Sequence, residues 1–265
     1  MTAPQADGFG VAAGEGDAAG EVDVTASGHA AAAGDGRLVV SEIFGPTWQG
    51  EGPSLGRRAG FVRLGRCDLA CSFCDTPYTW DWTRFDPAAE LTRPSADDVI
   101  GALDAMDIEL VVITGGEPLL QQRRLVPLLD RIAARGWEVE IETAGHHAPT
   151  DDVAARVDRF NVSPKLASSD NPLARRYRPD ALRRFAGTRK AAFKFVVTGE
   201  ADLEEVSSIV EECNIPGERV WVLPEGTDPA TVVGRARELA EAVLARRWNL
   251  TTRLHILLWG DERGR

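Results

Sequence analysis

The feature that most constrains the fold is a regular alternation of short apolar runs with longer amphipathic segments. The runs are rich in β-branched residues and predict strands at 38–43, 61–65, 110–114, 138–143, 159–163, 192–198, 219–223 and 253–258. The amphipathic segments predict helices near 95–106, 121–135, 173–186, 202–213 and 228–247. Strands separated by helices imply βαβ units and a parallel sheet, either doubly wound or curved into a full or partial (β/α) barrel. In each of these folds, functional residues collect at the C-terminal ends of the strands.

The first 36 residues differ in composition from the rest of the 265-residue chain. They hold six of the 41 acidic residues, no Lys or Arg, and almost no large apolar side chain. Such a segment cannot bury enough surface to offset the entropy lost on ordering. We therefore predict a disordered, acidic Gly/Ala-rich leader at 1–36 and one core domain at 37–265.

The overall composition indicates a soluble globular protein, with 43% hydrophobic and 27% charged residues. No apolar run reaches the roughly 20 residues of a membrane-spanning helix, and no signal-peptide pattern opens the sequence. We expect a cytoplasmic protein that does not bind a membrane. The net charge of −11, with no basic stripe, also argues against a nucleic-acid partner.

Three of the four cysteines are clustered directly after a predicted strand. Cys67, Cys71 and Cys74 have the spacing C-x3-C-x2-C, whereas Cys213 follows an apolar helical pattern and is predicted to be a buried thiol. Three thiolates can hold an iron–sulfur cluster and leave its fourth iron open. The alternative is a zinc site, but zinc normally takes four ligands, and no histidine lies within this loop. The spacing therefore favours an iron–sulfur cluster.

The cysteine loop, with Phe73 before its last cysteine, resembles the signature of the radical S-adenosylmethionine superfamily. Gly-Gly-Glu-Pro at 115–118 ends the next predicted strand and is similar to the segment with which that superfamily holds the methionyl amino group. The resemblance implies an α/β fold, a partial (β/α) TIM-like barrel at 37–265, with a 4Fe–4S cluster on the three cysteines. It also implies an S-adenosylmethionine site formed by Phe73, Asp75, Gly116, Glu117, Ser163, Pro164 and Lys165.

Two flanking segments narrow the resemblance. Gln-Gly-Glu-Gly at 49–52 and Cys-Asp-Thr at 74–76 are similar to the corresponding segments of 7-carboxy-7-deazaguanine synthases, and the likeness runs from about residue 38 to the last residue of the chain. That family implies a lyase of 7-deazapurine (queuosine-type) biosynthesis. Its reaction is the radical-mediated ring contraction of 6-carboxy-5,6,7,8-tetrahydropterin to 7-carboxy-7-deazaguanine, with loss of ammonia.

The same resemblance assigns residues and partners. Thr76 is expected to bind a Mg²⁺ ion that also holds the substrate carboxylate. No side chain is assigned as a catalytic acid or base, because the cluster and S-adenosylmethionine supply the radical chemistry. A homodimer and an external low-potential reductant of the flavodoxin or ferredoxin type are implied as well. The residues expected to contact the substrate are Trp48, Gln49, Gly50, Glu51, Arg63, Thr114 and His255.

Two other functions remain open on the sequence. A glycyl-radical-enzyme activase shares the cysteines and the Gly-Gly-Glu segment, but it acts on a partner protein. It would not need Gln49, Glu51 and Arg63 around one small pocket. A non-catalytic iron–sulfur or zinc protein would normally hold its centre with four ligands.

Overall fold

A computed structural model describes residues 36–265. The predicted leader therefore lies, apart from Gly36, outside the described residues, and the domain boundary at residue 36 stays a prediction. Within the described part, no helix combines the length and the apolarity needed to cross a membrane.

One sheet organises the described chain. Neighbouring strands follow one another in chain order from first to last. The first pair is antiparallel, and every later pair is parallel. The strands are β1 (Val40–Trp48), β2 (Arg58–Leu64), β3 (Leu110–Gly115), β4 (Glu138–Thr143), β5 (Arg159–Val162), β6 (Ala191–Val197), β7 (Val220–Pro224) and β8 (Asn249–Leu250).

This strand order decides between the two predicted architectures. A doubly wound sheet reverses its order at a switch point, whereas a barrel adds each new strand beside the previous one. Over residues 36–265 the sheet runs from β1 to β8, and these two end strands do not pair with each other. The expectation of an α/β, partial TIM-like barrel is confirmed.

Helices connect the parallel strands. The α-helices of residues 36–265 are α1 (Pro87–Glu90), α2 (Ala96–Asp104), α3 (Gln122–Ala134), α4 (Asp151–Arg156), α5 (Leu173–Arg176), α6 (Pro179–Thr188), α7 (Asp202–Glu212), α8 (Pro229–Ala245) and α9 (Leu254–Trp259). Short 3-10 helices lie at Gly52–Ser54, Pro77–Thr79, Pro118–Gln121, Ala167–Ser169 and Gly217–Arg219.

Local sequence accounts for these elements. Ser95 caps α2 in a reciprocal capping box with Asp98. Asp228 caps α8, which has a proline in its first turn. The first five residues of β3 are all buried, as an uninterrupted apolar run requires in a strand covered on both faces. The main core joins such strand residues to the inner faces of the helices.

Two sequence predictions were wrong, and three short elements were missed: α1, α4 and β8. Residues 253–258 form α9 rather than a strand. In a strand Ile256 and Leu258 would share a face, but Ile256 is 1% exposed and Leu258 is 51% exposed. The predicted helix 173–186 is split into α5 and α6, because Pro179 removes a backbone donor and begins a new helix. The longest of the missed elements is α4, which has only six residues and is capped by Thr150.

Candidate active site

A pocket of about 230 Å³ opens at the C-terminal ends of the parallel strands. The ends of β1, β3 and β4 and the loops after β2 and β5 all contribute to its wall. Of the predicted site residues, only Glu117 and Pro164 do not line it. The structure brings the others together: Trp48, Gln49, Gly50, Glu51, Arg63, Cys67, Cys71, Phe73, Cys74, Asp75, Thr76, Thr114, Gly116, Ser163, Lys165 and His255.

The cysteine loop is held by hydrogen bonds from other parts of the chain. Asn171 accepts from the backbone of Ala70 at 2.9 Å and donates through Nδ2 to Cys71 Sγ at 3.2 Å. On the other side, the indole nitrogen of Trp80 donates to Cys74 Sγ at 3.3 Å. The loop therefore has a fixed shape that does not depend on its own short-range contacts alone.

The three cysteines line the pocket together. Among the described residues, they are not found among the groups of three or more side chains placed closely enough to hold one metal ion. Three thiolates suit an iron–sulfur cluster whose fourth iron stays open. Burial raises the pKa of the Cys67 thiol to about 12, so cluster binding at this cysteine displaces a proton.

Gly115 and Gly116 press the end of β3 against the cysteine loop. Gly115 has a φ of +128°, and a side chain there would overlap the backbone of Leu64. A Cβ at Gly116 would overlap the carbonyl of Arg66 and come within 2.9 Å of the Cys67 nitrogen. The Gly-Gly pair is therefore required by close backbone packing beside the first cysteine.

Glu117 lies beneath this contact and is completely buried. Its carboxylate accepts hydrogen bonds from the backbone of Leu119 at 3.0 Å, the hydroxyl of Thr143 at 2.7 Å and the backbone of Ala144 at 2.9 Å. The carboxylate thus joins the ends of β3 and β4. Its expected contact with the methionyl amino group stays a prediction.

An ion-pair network forms one side of the pocket. Glu51 is paired with Lys194 and, at 3.1 Å, with Arg253. Burial alone would raise the pKa of Glu51, but these two cations hold it well below its ordinary value. Burial likewise opposes the charge on Lys194, but Glu142 and Glu51 raise its pKa. Both groups therefore stay ionised throughout the physiological range.

Glu142 connects this network to the predicted substrate residues. Its two oxygens accept hydrogen bonds from Gln49 Nε2 at 3.3 Å and from the Thr114 hydroxyl at 2.8 Å. Lys194 lies 3.5 Å from the same carboxylate. Glu142, which was not predicted as a site residue, therefore holds two predicted substrate residues, Gln49 after β1 and Thr114 in β3.

Arg63 and Glu42 form a second ion pair near the pocket. The Nε of Arg63 donates to Glu42 at 2.9 Å, and the guanidinium lies 5.2 Å from the centre of the Phe44 ring. Glu42 also accepts from Tyr78 and pairs with Arg263 near the last residue of the chain. One edge of the Arg63 fork is therefore fixed, which orients the whole side chain.

Other predicted residues have simple surroundings. Thr76 is buried, and its hydroxyl lies 3.8 Å from Cys74 Sγ. Asp75 pairs with Arg253. Lys165 donates to the Ser163 hydroxyl at 3.0 Å. His255 projects from α9 against Gly50, where any side chain would overlap its ring.

Asp68 lies between two histidines of the loop after β4. Each of its oxygens is 2.8 Å from the Nε2 atom of one imidazole, in His146 and His147. Nitrogen and oxygen ligands on one zinc ion would lie about 3.3 Å apart. The observed separations are those of hydrogen bonds, so the trio ties the residue after Cys67 to the β4 loop.

Four charged residues in or next to the pocket were not predicted: Glu42, Glu142, Lys194 and Arg253. Glu142 gave no distinct signal, because acidic and apolar residues alternate throughout β4. Lys194 carried a usable signal, because it interrupts the apolar strand β6. A buried charge in such a strand needs a partner. The pairing itself depends on neighbouring strands and cannot be obtained from one strand alone.

Comparisons with known proteins agree with this geometry. Residues 62–199 match the Radical SAM superfamily. A 7-carboxy-7-deazaguanine synthase from Pyrobaculum aerophilum is 38% identical over 231 residues, covering 86% of this chain and 98% of that protein. The enzyme of the same name from Halobacterium salinarum is 35% identical and covers 91% of this chain and 98% of its own length.

A solved structure shares the fold. The crystal structure of QueE from Escherichia coli superposes with a TM-score of 0.64 at 26% identity, covering 83% of this chain and 95% of that one. These likenesses do not favour an activase or a non-catalytic metal protein. The chain belongs to the 7-carboxy-7-deazaguanine synthase family of the radical S-adenosylmethionine superfamily.

Proposed function

We propose that this enzyme contracts the ring of 6-carboxy-5,6,7,8-tetrahydropterin to give 7-carboxy-7-deazaguanine, using residues of the pocket described above. The observation that carries the proposal is the joint position of two residue sets. The three cysteines and the residues Gln49, Glu51, Arg63 and Thr114 line one pocket. A protein-activating enzyme would have no need for such a polar, small-molecule enclosure beside its cluster.

The cluster would be held by Cys67, Cys71 and Cys74, whose C-x3-C-x2-C pattern in the sequence suits a cubane with one open iron. S-adenosylmethionine would lie next to it, against Phe73, Asp75, Gly116, Ser163 and Lys165, with Glu117 and Pro164 supporting that side. When bound, the pair supplies the radical chemistry of the family. The chain's own role is to bind, orient and enclose the reactants.

The substrate would occupy the side of the pocket near β1. Gln49, Glu51 and Thr114 offer hydrogen-bond acceptors and donors to the polar edge of the pterin, assisted by Trp48, Gly50 and His255. Glu142 keeps Gln49 and Thr114 in place. Within residues 36–265, Arg63 donates a hydrogen bond to Glu42 through Nε and none through its two terminal nitrogens. These nitrogens are therefore available to bind the substrate carboxylate.

The proposal includes a Mg²⁺ ion at Thr76. An oxygen ligand, the substrate carboxylate and several waters make a coordination shell that Mg²⁺ accepts. Thr76 is suitably placed between the cysteine loop and the pocket, and Asp75 beside it is already neutralised by Arg253. We further propose a cytoplasmic homodimer that takes its electron from a flavodoxin or ferredoxin. Light scattering of the purified enzyme would test the dimer.

The experiment is an anaerobic assay of the reconstituted enzyme. Protein loaded with iron and sulfide is given S-adenosylmethionine, dithionite, Mg²⁺ and 6-carboxytetrahydropterin, and products are followed by mass spectrometry. The expected result is 7-carboxy-7-deazaguanine without stoichiometric loss of S-adenosylmethionine. A Cys74→Ala variant is the control and should form no product. Cleavage of S-adenosylmethionine with the pterin unchanged would overturn the proposed substrate.

A further inference from the structure

We propose that Trp80 and Asn171 raise the reduction potential of the cluster by donating hydrogen bonds to two of its three thiolates. The inference rests on the proposed function to the extent that the cysteines must hold a cluster. Trp80 Nε1 lies 3.3 Å from Cys74 Sγ, and Asn171 Nδ2 lies 3.2 Å from Cys71 Sγ. Both donors come from outside the cysteine motif.

The direction of each hydrogen bond is fixed by chemistry. An indole nitrogen can only donate, so Trp80 must be the donor to Cys74. The amide of Asn171 could in principle be reversed. Its oxygen, however, takes the backbone N–H of Ala70 at 2.9 Å, and a reversed amide would set two donors against each other there. The amino group therefore faces Cys71.

Both donors are also held in place by the rest of the fold. Asn171 is buried, and its amino group has further acceptors in the carbonyl and hydroxyl of Ser169, at 3.3 and 3.2 Å. Trp80 follows the 3-10 helix Pro77–Thr79, and its backbone donates to the carbonyl of Pro77 at 3.1 Å. The protein itself therefore fixes the Asn171 side chain and the backbone from which the Trp80 indole extends.

The third thiolate differs from the other two. Among the described residues, side-chain N–H donors are found at the sulfurs of Cys71 and Cys74 and not at that of Cys67. Substitutions at Asn171 and Trp80 are therefore the ones that can change the reduction potential of the cluster by removing a side-chain hydrogen bond.

The sign of the effect follows from charge. Adding one electron makes the cluster and its thiolates more negative, and the positive end of an N–H dipole stabilises that extra charge. Hydrogen bonds to the sulfurs are one of the recognised determinants of iron–sulfur potentials. Removing a donor should therefore make the cluster harder to reduce, while the number of irons stays the same.

The test is a redox titration of the reconstituted holoenzyme, followed by the electron paramagnetic resonance signal of the reduced cluster. In Trp80→Phe, we expect the ratio of reduced to oxidised cluster at a fixed potential to fall by about threefold to tenfold. This corresponds to a midpoint about 30–60 mV lower, at 59 mV per tenfold for one electron. Trp82→Phe, at a half-exposed tryptophan two residues away, is the matched control and should not shift the midpoint.

The outcomes separate this inference from the proposed function. An unchanged midpoint in Trp80→Phe with full iron content would overturn the role of Trp80. If Trp80→Phe loses iron, benzothienylalanine at position 80 keeps the shape of indole and replaces its N–H by sulfur. The same lowered midpoint is expected there, and an unchanged one would refute the inference. A wild-type protein that forms no 4Fe–4S cluster would instead contradict the proposed function.

Discussion

At the scale of single residues, most polar side chains of the pocket have protein partners that fix their orientation. Glu51 is held by two cations, Arg63 by Glu42, and Gln49 by Glu142. Such preorganisation means that little side-chain entropy remains to be lost when a substrate binds. Substitutions here should affect binding and orientation more than the chemical step itself.

Thr76 provides a direct test of the proposed Mg²⁺ ion. Thr76→Ala removes the hydroxyl, and we expect kcat/KM to fall about tenfold, near 1.4 kcal/mol, with loss of its dependence on Mg²⁺. Thr76→Ser keeps the oxygen and should retain that dependence. The measurement is the initial rate against Mg²⁺ concentration for all three proteins. Equal Mg²⁺ dependence in wild type and Thr76→Ala would refute the ligand assignment.

Glu117 should contribute to stability independently of any cofactor. Glu117→Gln replaces one carboxylate oxygen by an NH₂ group that faces the donors now bound to Glu117. We expect the free energy of unfolding to fall by about 1–3 kcal/mol, the cost of an unsatisfied buried group. Urea unfolding of the iron-free chain, followed by circular dichroism, measures it. Glu138→Gln, at an exposed ion pair, is the control and should cost less than about 1 kcal/mol.

His255 should make stability depend on pH. Burial lowers its pKa below the ordinary value of 6.5, so the unfolded chain binds a proton at this residue more readily than the folded chain. The free energy of unfolding should therefore decrease as the pH falls through 6.5. Urea unfolding between about pH 8 and pH 5 should show a steeper loss in wild type than in His255→Asn. Parallel curves would count against a neutral, half-buried imidazole in the folded chain.

At the scale of elements, the meeting of β1 with α9 is the contact that the sequence least anticipated. The backbone of Leu254 donates to the carbonyl of Gly50 at 2.8 Å, and the ring of His255 fills the space that a side chain at Gly50 would take. The glycine therefore allows the last helix to lie directly on the end of the first strand.

This contact can be tested by measuring how far substitutions of Gly50 and His255 depend on each other. Gly50→Ala should displace the His255 ring and lower the free energy of unfolding by about 1–3 kcal/mol, as expected for overpacking. In a His255→Ala background the same change should cost much less, because the obstructing ring is absent. A double-mutant cycle of urea unfolding measures the coupling. Additive losses would show that the two residues do not compete for space.

Local sequence patterns predicted the parallel strands β2 to β7, and they failed where tertiary contacts decide. The apolar run of β3 is rich in β-branched residues and is followed by two glycines, and both features favour a strand. The run 253–258 is rich in leucine, and a short apolar segment of that kind fits either a strand or a buried helix. The cysteines and the Gln-Gly-Glu segment were found because their spacing is local. Glu142 and Lys194 face each other from non-adjacent strands, which no local pattern encodes.

At the scale of the whole molecule, several distant parts of the chain hold the cysteine loop. The end of β3 touches it through Gly116, and Asn171 accepts a hydrogen bond from Ala70. Trp80 donates to Cys74, and the backbone of Ser72 donates to the carbonyl of Ser169 at 3.2 Å. Zinc fingers differ, since their ligands lack such support and they unfold without metal. Here, folding and cluster binding should be separable.

The prediction is that the iron-free chain keeps its secondary structure and a cooperative unfolding transition. Circular dichroism of the reconstituted and chelator-treated enzyme should give the same far-ultraviolet spectrum. Cys213→Ser should leave four irons per chain, because this buried thiol is not part of the pocket lining. Loss of the cooperative transition on chelation would contradict the separation of folding from cluster binding.

The close seating of the cysteine loop on β3 also bears on how the enzyme survives oxygen. A cubane with an open iron is readily destroyed by oxidants, and the three thiols released with it can be oxidised in turn. The glycine contacts and amide hydrogen bonds around them are not changed by oxidation. Damage should therefore be confined to the cluster and its cysteines. Once those thiols are reduced again, the same polypeptide should be able to take up iron and sulfide, so that repair of the cluster can replace renewed synthesis of the protein.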